Sequence, residues 1–239
     1  MSDAATFDER YFARGCGPIP YGHSPEWLAL FAAMAERIVS DLAPASVLDA
    51  GCAMGLLVEA LRTRGVQAWG VDVSEYALSK ADPNVRPFCR HASIATALPA
   101  DMPQRYDLVI SVEVLEHLHQ EASECALRNL AGYADEFLFS SSPDDTETES
   151  HFNVQPALYW SNQFAQAGML RDTHFNASII TPWAMLFSTP AGAAARQSRL
   201  FAHREARLNA ENARLRELVR GYESGRVMRL MNALRRGVK

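Results

Sequence analysis

No apolar run in this sequence approaches the ~20 residues that a membrane-spanning helix requires. The four cysteines, Cys16, Cys52, Cys89 and Cys125, lie far apart with no C-x-x-C pair. That spacing argues against a cysteine zinc site and for reduced thiols. The opening MSDAATFDER is polar and acidic and lacks the apolar core of a secretory signal, so a cytoplasmic location is expected. Basic residues are scarce in the body of the chain. Residues 1–195 hold 11 Lys/Arg against 24 Asp/Glu, whereas residues 196–239 hold 12 against 4. An acidic body repels phosphate backbones, so a small molecule is favoured over nucleic acid as its partner. The basic tail is a separate region.

What is present is enough apolar material, 48% of 239 residues, for one sizeable core and an appendage. The stretch Ser46–Asp72 organises it: an apolar run, Asp49, a small-residue turn with Gly51, Cys52, Ala53 and Gly55, an amphipathic segment (Leu56, Leu57, Val58, Leu61), and a second apolar run ending on Asp72. Strand, glycine turn, helix, strand and acid outline a nucleotide-binding βαβ unit. Glycine lets the backbone approach a ligand, and an acid at the second strand tip can accept ribose hydroxyls.

The rest of the chain alternates in the same way. Residues 1–25 mix aromatics with Gly and Pro and read as a lid or as a packed loop. Ser24-Pro25 starts a helix whose apolar face is Trp27, Leu28, Phe31, Met34, Ile38 and Leu42, and Pro44 stops it. A short helix follows Ser74 as N-cap. Strands are expected at Val85–Cys89, Tyr106–Ser111, Glu136–Ser140 and Asn176–Ile180, with helices over 121–131 and from Pro156 to Gly168, the latter burying Leu158, Tyr159, Trp160 and Phe164. Residues 141–155 read as a polar surface loop and Pro190–Ala195 as a linker. The alternation indicates an α/β fold, a parallel sheet with helices on both faces. The chain divides into an N-terminal segment (1–25), a central domain (26–190) and a basic helical tail (196–239). In the tail, Phe201, Leu208, Leu215 and Tyr222 recur every seven residues, with Arg204 and Glu211 interrupting the seam. A homo-oligomer or a partner protein is expected through residues 200–235; a solvated basic helix is the alternative.

Glu113-x-x-Glu116-His117 follows the fourth strand. Were it helical, the three side chains would share a face and suit a hard or borderline divalent cation such as Mg²⁺, Mn²⁺ or Zn²⁺. His151, in the loop after the fifth strand, returns to the same rim. Without a metal, His117 or His151 could take a proton; His119 is worse placed.

D-x-G-x-x-x-G at 49–55 resembles the first motif of class I S-adenosylmethionine (SAM) dependent methyltransferases, with Ala53 in place of the middle glycine. The resemblance covers roughly residues 40–185 and implies a Rossmann-like, parallel-rich seven-stranded sheet with helices on both faces. It implies SAM as cofactor, bound by Asp49, Gly51, Cys52, Ala53, Gly55, Asp72, Val73, Ser93, Ile94 and Glu113. The E-x-x-E-H motif and a later loop histidine are similar to metal-dependent O-methyltransferases of the small-RNA Hen type, and ubiquinone-biosynthesis O-methyltransferases share the first part. That likeness implies Glu113, Glu116, His117 and His151 as ligands of Mg²⁺ or Mn²⁺ that grip acceptor hydroxyls. The YFxxGCG and HFNVQPxxYW stretches look like methyltransferases of bacterial polysaccharide or natural-product clusters. The resulting expectation is methyl transfer to a hydroxyl of a sugar, glycan or related natural product. An RNA 2′-O-methyltransferase and a non-catalytic SAM-binding scaffold subunit are the alternatives.

Overall fold

The computed structural model describes residues 6–225 and residue 229. The described residues up to Gln197 form one compact unit and those from Ser198 a second. The first unit is built on seven strands: β1 (Ser46–Ala50), β2 (Gln67–Asp72), β3 (Cys89–His91), β4 (Leu108–Val112), β5 (Glu136–Ser140), β6 (Leu170–Arg171) and β7 (Met185–Ser188). Their order in the sheet is β3-β2-β1-β4-β5-β7-β6. β1 to β5 run parallel, and β7 is antiparallel to both β5 and β6. The order reverses between β1 and β4, and an open parallel sheet forms its crevice at such a switch point, beyond the carboxyl ends of the strands.

Helices α2 (Pro25–Leu42) and α3 (Leu56–Thr63) pack on one face, where Ile38, Leu42, Leu57 and Leu61 meet Val47, Leu108 and Ile110. Helices α5 (Gln120–Ala131) and α6 (Ala157–Gln166) cover the other, with Leu127, Leu130, Trp160 and Phe164 against Val109, Phe137 and Phe139. Phe164 stacks on Phe187 with ring centroids 3.9 Å apart. Each fully buried side chain of this size contributes about 1.5–3 kcal/mol. Two short helices complete the unit's cavity side, α1 (Glu9–Arg14) and α4 (Glu75–Ser79). Ser24 caps α2 through Trp27 N–H and Ser74 caps α4 through Ala77 N–H.

Several expected elements differ. Residues 86–88 form a 3-10 turn around Pro87, so β3 starts only at Cys89. Tyr106 makes a single bridge to Ala134 and lies outside β4. Asn176–Ile180 is not a strand; the closing strand is Met185–Ser188, whose residues are all buried. Leu158 is 70% exposed, because the buried face of α6 carries Trp160 and Phe164. The 141–155 segment is not a surface loop throughout: Ser141, Ser142, Ser150 and Asn153 are buried.

Pro190–Ala195 is the start of helix α7 (Pro190–Ser224) rather than a linker. Proline at a first helical position followed by alanines is a strong helix start. Gly192 lets the helix approach closely, since a Cβ there would stand 2.3 Å from the Asp135 carbonyl oxygen. One turn on, buried Arg196 meets Glu136 at 3.1 Å and Asp172 at 2.5 Å. Of the tail expectation, residues 226–228 and 230–239 lie outside the described residues. Arg196→Met is expected to lower stability by up to about 3–5 kcal/mol in urea unfolding, because the buried guanidinium that bridges Glu136 and Asp172 is lost; Glu136→Gln in the same chain should recover part of that loss.

Candidate active site

The turn after β1 is held by backbone donors. Gly51 and Cys52 N–H both donate to the Val71 carbonyl, at 2.8 and 3.0 Å. Gly51 has φ +92°, and a Cβ there would lie 2.4 Å from Val114 Cγ2, so only glycine fits. Ala53 adopts φ +48°, and its N–H donates to Asp72 Oδ2 at 2.7 Å. The other Asp72 oxygen accepts Ser74 N–H at 2.8 Å. Gly55 caps α3 in the left-handed region and packs toward Cys89 and Val85.

Beyond this turn lies a cavity of ≈ 830 Å³, within the range of small-molecule sites. Its wall brings together Asp49, Gly51, Cys52, Ala53, Asp72, Val73, Ser93, Ile94, Glu113, His117 and His151; Gly55 and Glu116 are not part of it. Sequence reasoning did not single out Asp145, Thr148 or Thr181, nor assign Tyr21, Trp27 and Phe31 to the site, yet all six line it. Aromatic residues in a Gly/Pro-rich segment were the one available signal for Tyr21. Residues 7–21 close one side: Ser74 Oγ donates to the Phe7 carbonyl, Tyr11 reaches His117, and Phe12 stacks on Tyr76.

Two acids, buried Asp49 and half-buried Asp72, dominate the electrostatics. Burial, with Asp72 beside it, pushes the Asp49 carboxyl up to about 7. Burial also raises Asp72, while the N–H groups of Ser74 and Ala53 oppose that shift. Both carboxylates are therefore costly to ionise until a cation joins them.

The Glu113–His117 segment is not an α-helical face. Glu113 has φ +53° and residues 115–117 form a 3-10 turn, so the expected i, i+3, i+4 alignment is replaced by a reversal at the end of β4. Glu113 accepts hydrogen bonds from Ser140 Oγ and from Trp183 Nε1. Glu116 is fully buried, and burial together with the Glu113 charge raises its carboxyl well above the ordinary range. Among the described residues no three His, Cys, Asp or Glu side chains are arranged to hold a metal ion. The expected ligand set of Glu113, Glu116, His117 and His151 is thus not formed. Glu113 meets Ser140 and Trp183, His117 meets Tyr11 and the Ser150 carbonyl, and His151 meets the Asp145 carbonyl, whereas Glu116 meets the Ser142 N–H at 3.4 Å and its second oxygen is buried without a hydrogen-bond partner among the described residues.

The two histidines lie edge to face, ring centroids 4.7 Å apart. His117 Nδ1 is 3.0 Å from the Ser150 carbonyl, which can only accept, so Nδ1 carries the proton and Nε2 accepts from the Tyr11 hydroxyl at 3.2 Å. Burial and then the neighbouring His151 hold His117 down at about 4, neutral near pH 7. His151 Nδ1 is 2.9 Å from the Asp145 carbonyl and 3.5 Å from its carboxylate. That leaves Nε2 as its lone-pair nitrogen. Thr148 donates to Asp145 through both its hydroxyl and its N–H.

The raised Asp49 value has a signed consequence. The folded chain binds this proton more tightly than the unfolded chain, so the stability it contributes is complete below about pH 4 and is lost as pH rises through about 7. Asp49→Asn is expected to raise the melting temperature of the ligand-free protein above pH 7 and to change it little near pH 4, by thermal unfolding across that range.

Comparison with known proteins follows the same outline. A family model described as a methyltransferase domain matches residues 24–176. A ubiquinone biosynthesis O-methyltransferase from Leptothrix cholodnii is 38% identical over 93 residues, 37% of this chain and 40% of that protein. The match therefore spans well under half of that relative. Magnesium protoporphyrin IX methyltransferase from Synechocystis PCC 6803, solved with bound S-adenosylhomocysteine (SAH), superimposes with a TM-score of 0.53 at 17% identity, covering 76% of this chain and 97% of that one. The CcbJ methyltransferase from Streptomyces caelestis gives 0.51 at 15% identity, over 76% and 95%. At these identities the two structures speak for the fold alone. With the family match over most of its first unit and the glycine turn at the head of a seven-stranded sheet, the chain belongs to the class I, SAM-dependent methyltransferase family.

Proposed function

We propose that the chain transfers a methyl group from SAM to a hydroxyl oxygen of a small-molecule acceptor, a sugar or related natural product, with His151 as the base. The observation that carries this is the His151–Asp145 pair, in the wall of the same cavity as the turn bearing Asp49 and Asp72. SAM, when bound, supplies an electrophilic methyl on a cationic sulfonium.

The residues present fit such a ligand. Asp49 is a buried carboxyl without a cation, suited to the ammonium of an amino-acid moiety. Asp72 retains lone pairs for ribose hydroxyls beyond the two N–H groups it accepts. Gly51 borders the same cavity, and Ser93 and Ile94 offer a wall for a flat base. Glu113, fixed by Ser140 and Trp183, borders the same space. Residues 6–22 serve as the lid, and Tyr21, Trp27 and Phe31 give stacking faces for an acceptor ring.

A hydroxyl attacks in line once its proton has somewhere to go. His151 Nε2 can accept it, and the Asp145 carboxylate stabilises the imidazolium that results. His117 is a poorer base because burial holds its value near 4; it orients the Tyr11 hydroxyl and packs against His151. The base reading needs no metal ligand set.

Two outcomes test this. His151→Ala should lower SAH formation with a panel of hydroxylated acceptors by ~10²–10⁴-fold while SAH affinity by calorimetry holds, and EDTA should leave wild-type turnover unchanged. Loss of activity on chelation would revive the metal reading, and absence of SAM binding would end the enzyme reading. SAM affinity should also fall by up to ~10-fold per unit as pH drops below about 7, where Asp49 is protonated. Asp49→Asn should abolish that pH dependence.

A further inference from the structure

The second unit starts at Ser198, and its described residues up to Ser224 belong to α7. All residues from Phe201 to Tyr222 are exposed, including Phe201, Leu208, Leu215, Leu218, Val219 and Tyr222, each about half exposed or more. A helix of three turns or more draws most of its stability from an apolar face packed on something. Here that face is a heptad stripe, and a stripe of period seven fits another helix carrying the same period.

The register matters. With Phe201, Leu208, Leu215 and Tyr222 in the first apolar place of each heptad, Arg204 and Glu211 fall inside the seam. Assigned to the second apolar place, d, the same four residues put Glu205, Asn212 and Val219 at a. Arg204 and Glu211 then move to the flanking g places, and Arg216 takes an e place. Leucine at d with a β-branched residue at a favours two parallel strands, and one asparagine at a specifies register. In a parallel pair, g of one helix faces the next e of the other, so Glu211 faces Arg216 of the second copy. The charges are opposite.

We propose that α7, over residues 201–222, forms a parallel, in-register two-stranded coiled coil with a second copy of this chain. Asn212 pairs with its counterpart in the seam, and Glu211–Arg216 pairs flank it on both sides. Glu211 lies 4.0 Å from Arg214 of its own helix, a contact between exposed side chains that is free to exchange. Glu205 is the one discordant seam residue, since two carboxylates would face each other there. The pairing does not depend on the methyl-transfer chemistry.

Sedimentation of the full chain over a wide concentration range tests this. A concentration-dependent dimer is expected, with Leu208→Glu/Leu215→Glu monomeric at every concentration and Glu205→Leu dimerising at least ~10-fold more tightly. Glu211→Arg should weaken the dimer and Glu211→Arg/Arg216→Glu restore it. Asn212→Cys, in a Cys125→Ser background, should form a 212–212 disulfide with oxidised glutathione. A wild-type monomer throughout would overturn the proposal and leave the helix to a different partner. A dimer that fails to cross-link at 212, or that survives Leu208→Glu/Leu215→Glu, would overturn the parallel pairing.

Discussion

The Asp72 carboxylate ties the first unit's site together. One oxygen takes the Ala53 N–H, the other takes Ser74 N–H, so the glycine turn after β1 and the start of α4 after β2 hang on a single side chain. Without that bridge, Ala53 would have little reason to hold φ +48°, a conformation costly for any residue with a Cβ. The Val71 carbonyl, accepting Gly51 and Cys52 N–H, draws the turn onto the same strand. The acid that shapes the pocket is also the acid placed to bind within it.

Charge in the cavity is arranged by burial. Asp49 is desolvated beside Asp72 without a cation, so the ligand-free site carries a standing electrostatic cost. A cationic ligand relieves it. At the other part of the wall, the two histidines are differentiated by their surroundings. His117 is buried, hydrogen-bonded at both nitrogens and held neutral, whereas His151 keeps Nε2 free of its anchoring bond to Asp145. Identical side chains thus have different chemistry because of their neighbours.

Much of this was legible before any coordinates. Ser46–Ala50 and Glu136–Ser140 are short apolar runs bounded by turn residues, and Ser24 and Ser74 are recognisable helix caps. The failures have specific causes. Asn176–Ile180 and Met185–Ser188 are both short and apolar-rich in sequence, and pairing with β5 and β6 distinguishes them. Pro190–Ala195 looked like a linker because small residues serve both loops and helices; Gly192 against Asp135 and Arg196 between two acids dock it as a helix. Glu113-x-x-Glu116-His117 has helical spacing, but Glu113 in the left-handed region turns the chain before a helix can form.

Composition and local pattern were sufficient for the sheet, the glycine turn, the two strand-end acids and the heptad stripe of the tail, since each rests on residues near one another in the chain. Tertiary structure alone decided that His117 and His151 touch, that Asp145 backs His151, and that Tyr21, Trp27 and Phe31 wall the same cavity as Asp49. It also decided that Glu113, His117 and His151 have other partners. Those are contacts between segments far apart in sequence. They depend on distances and burial, which no local period encodes.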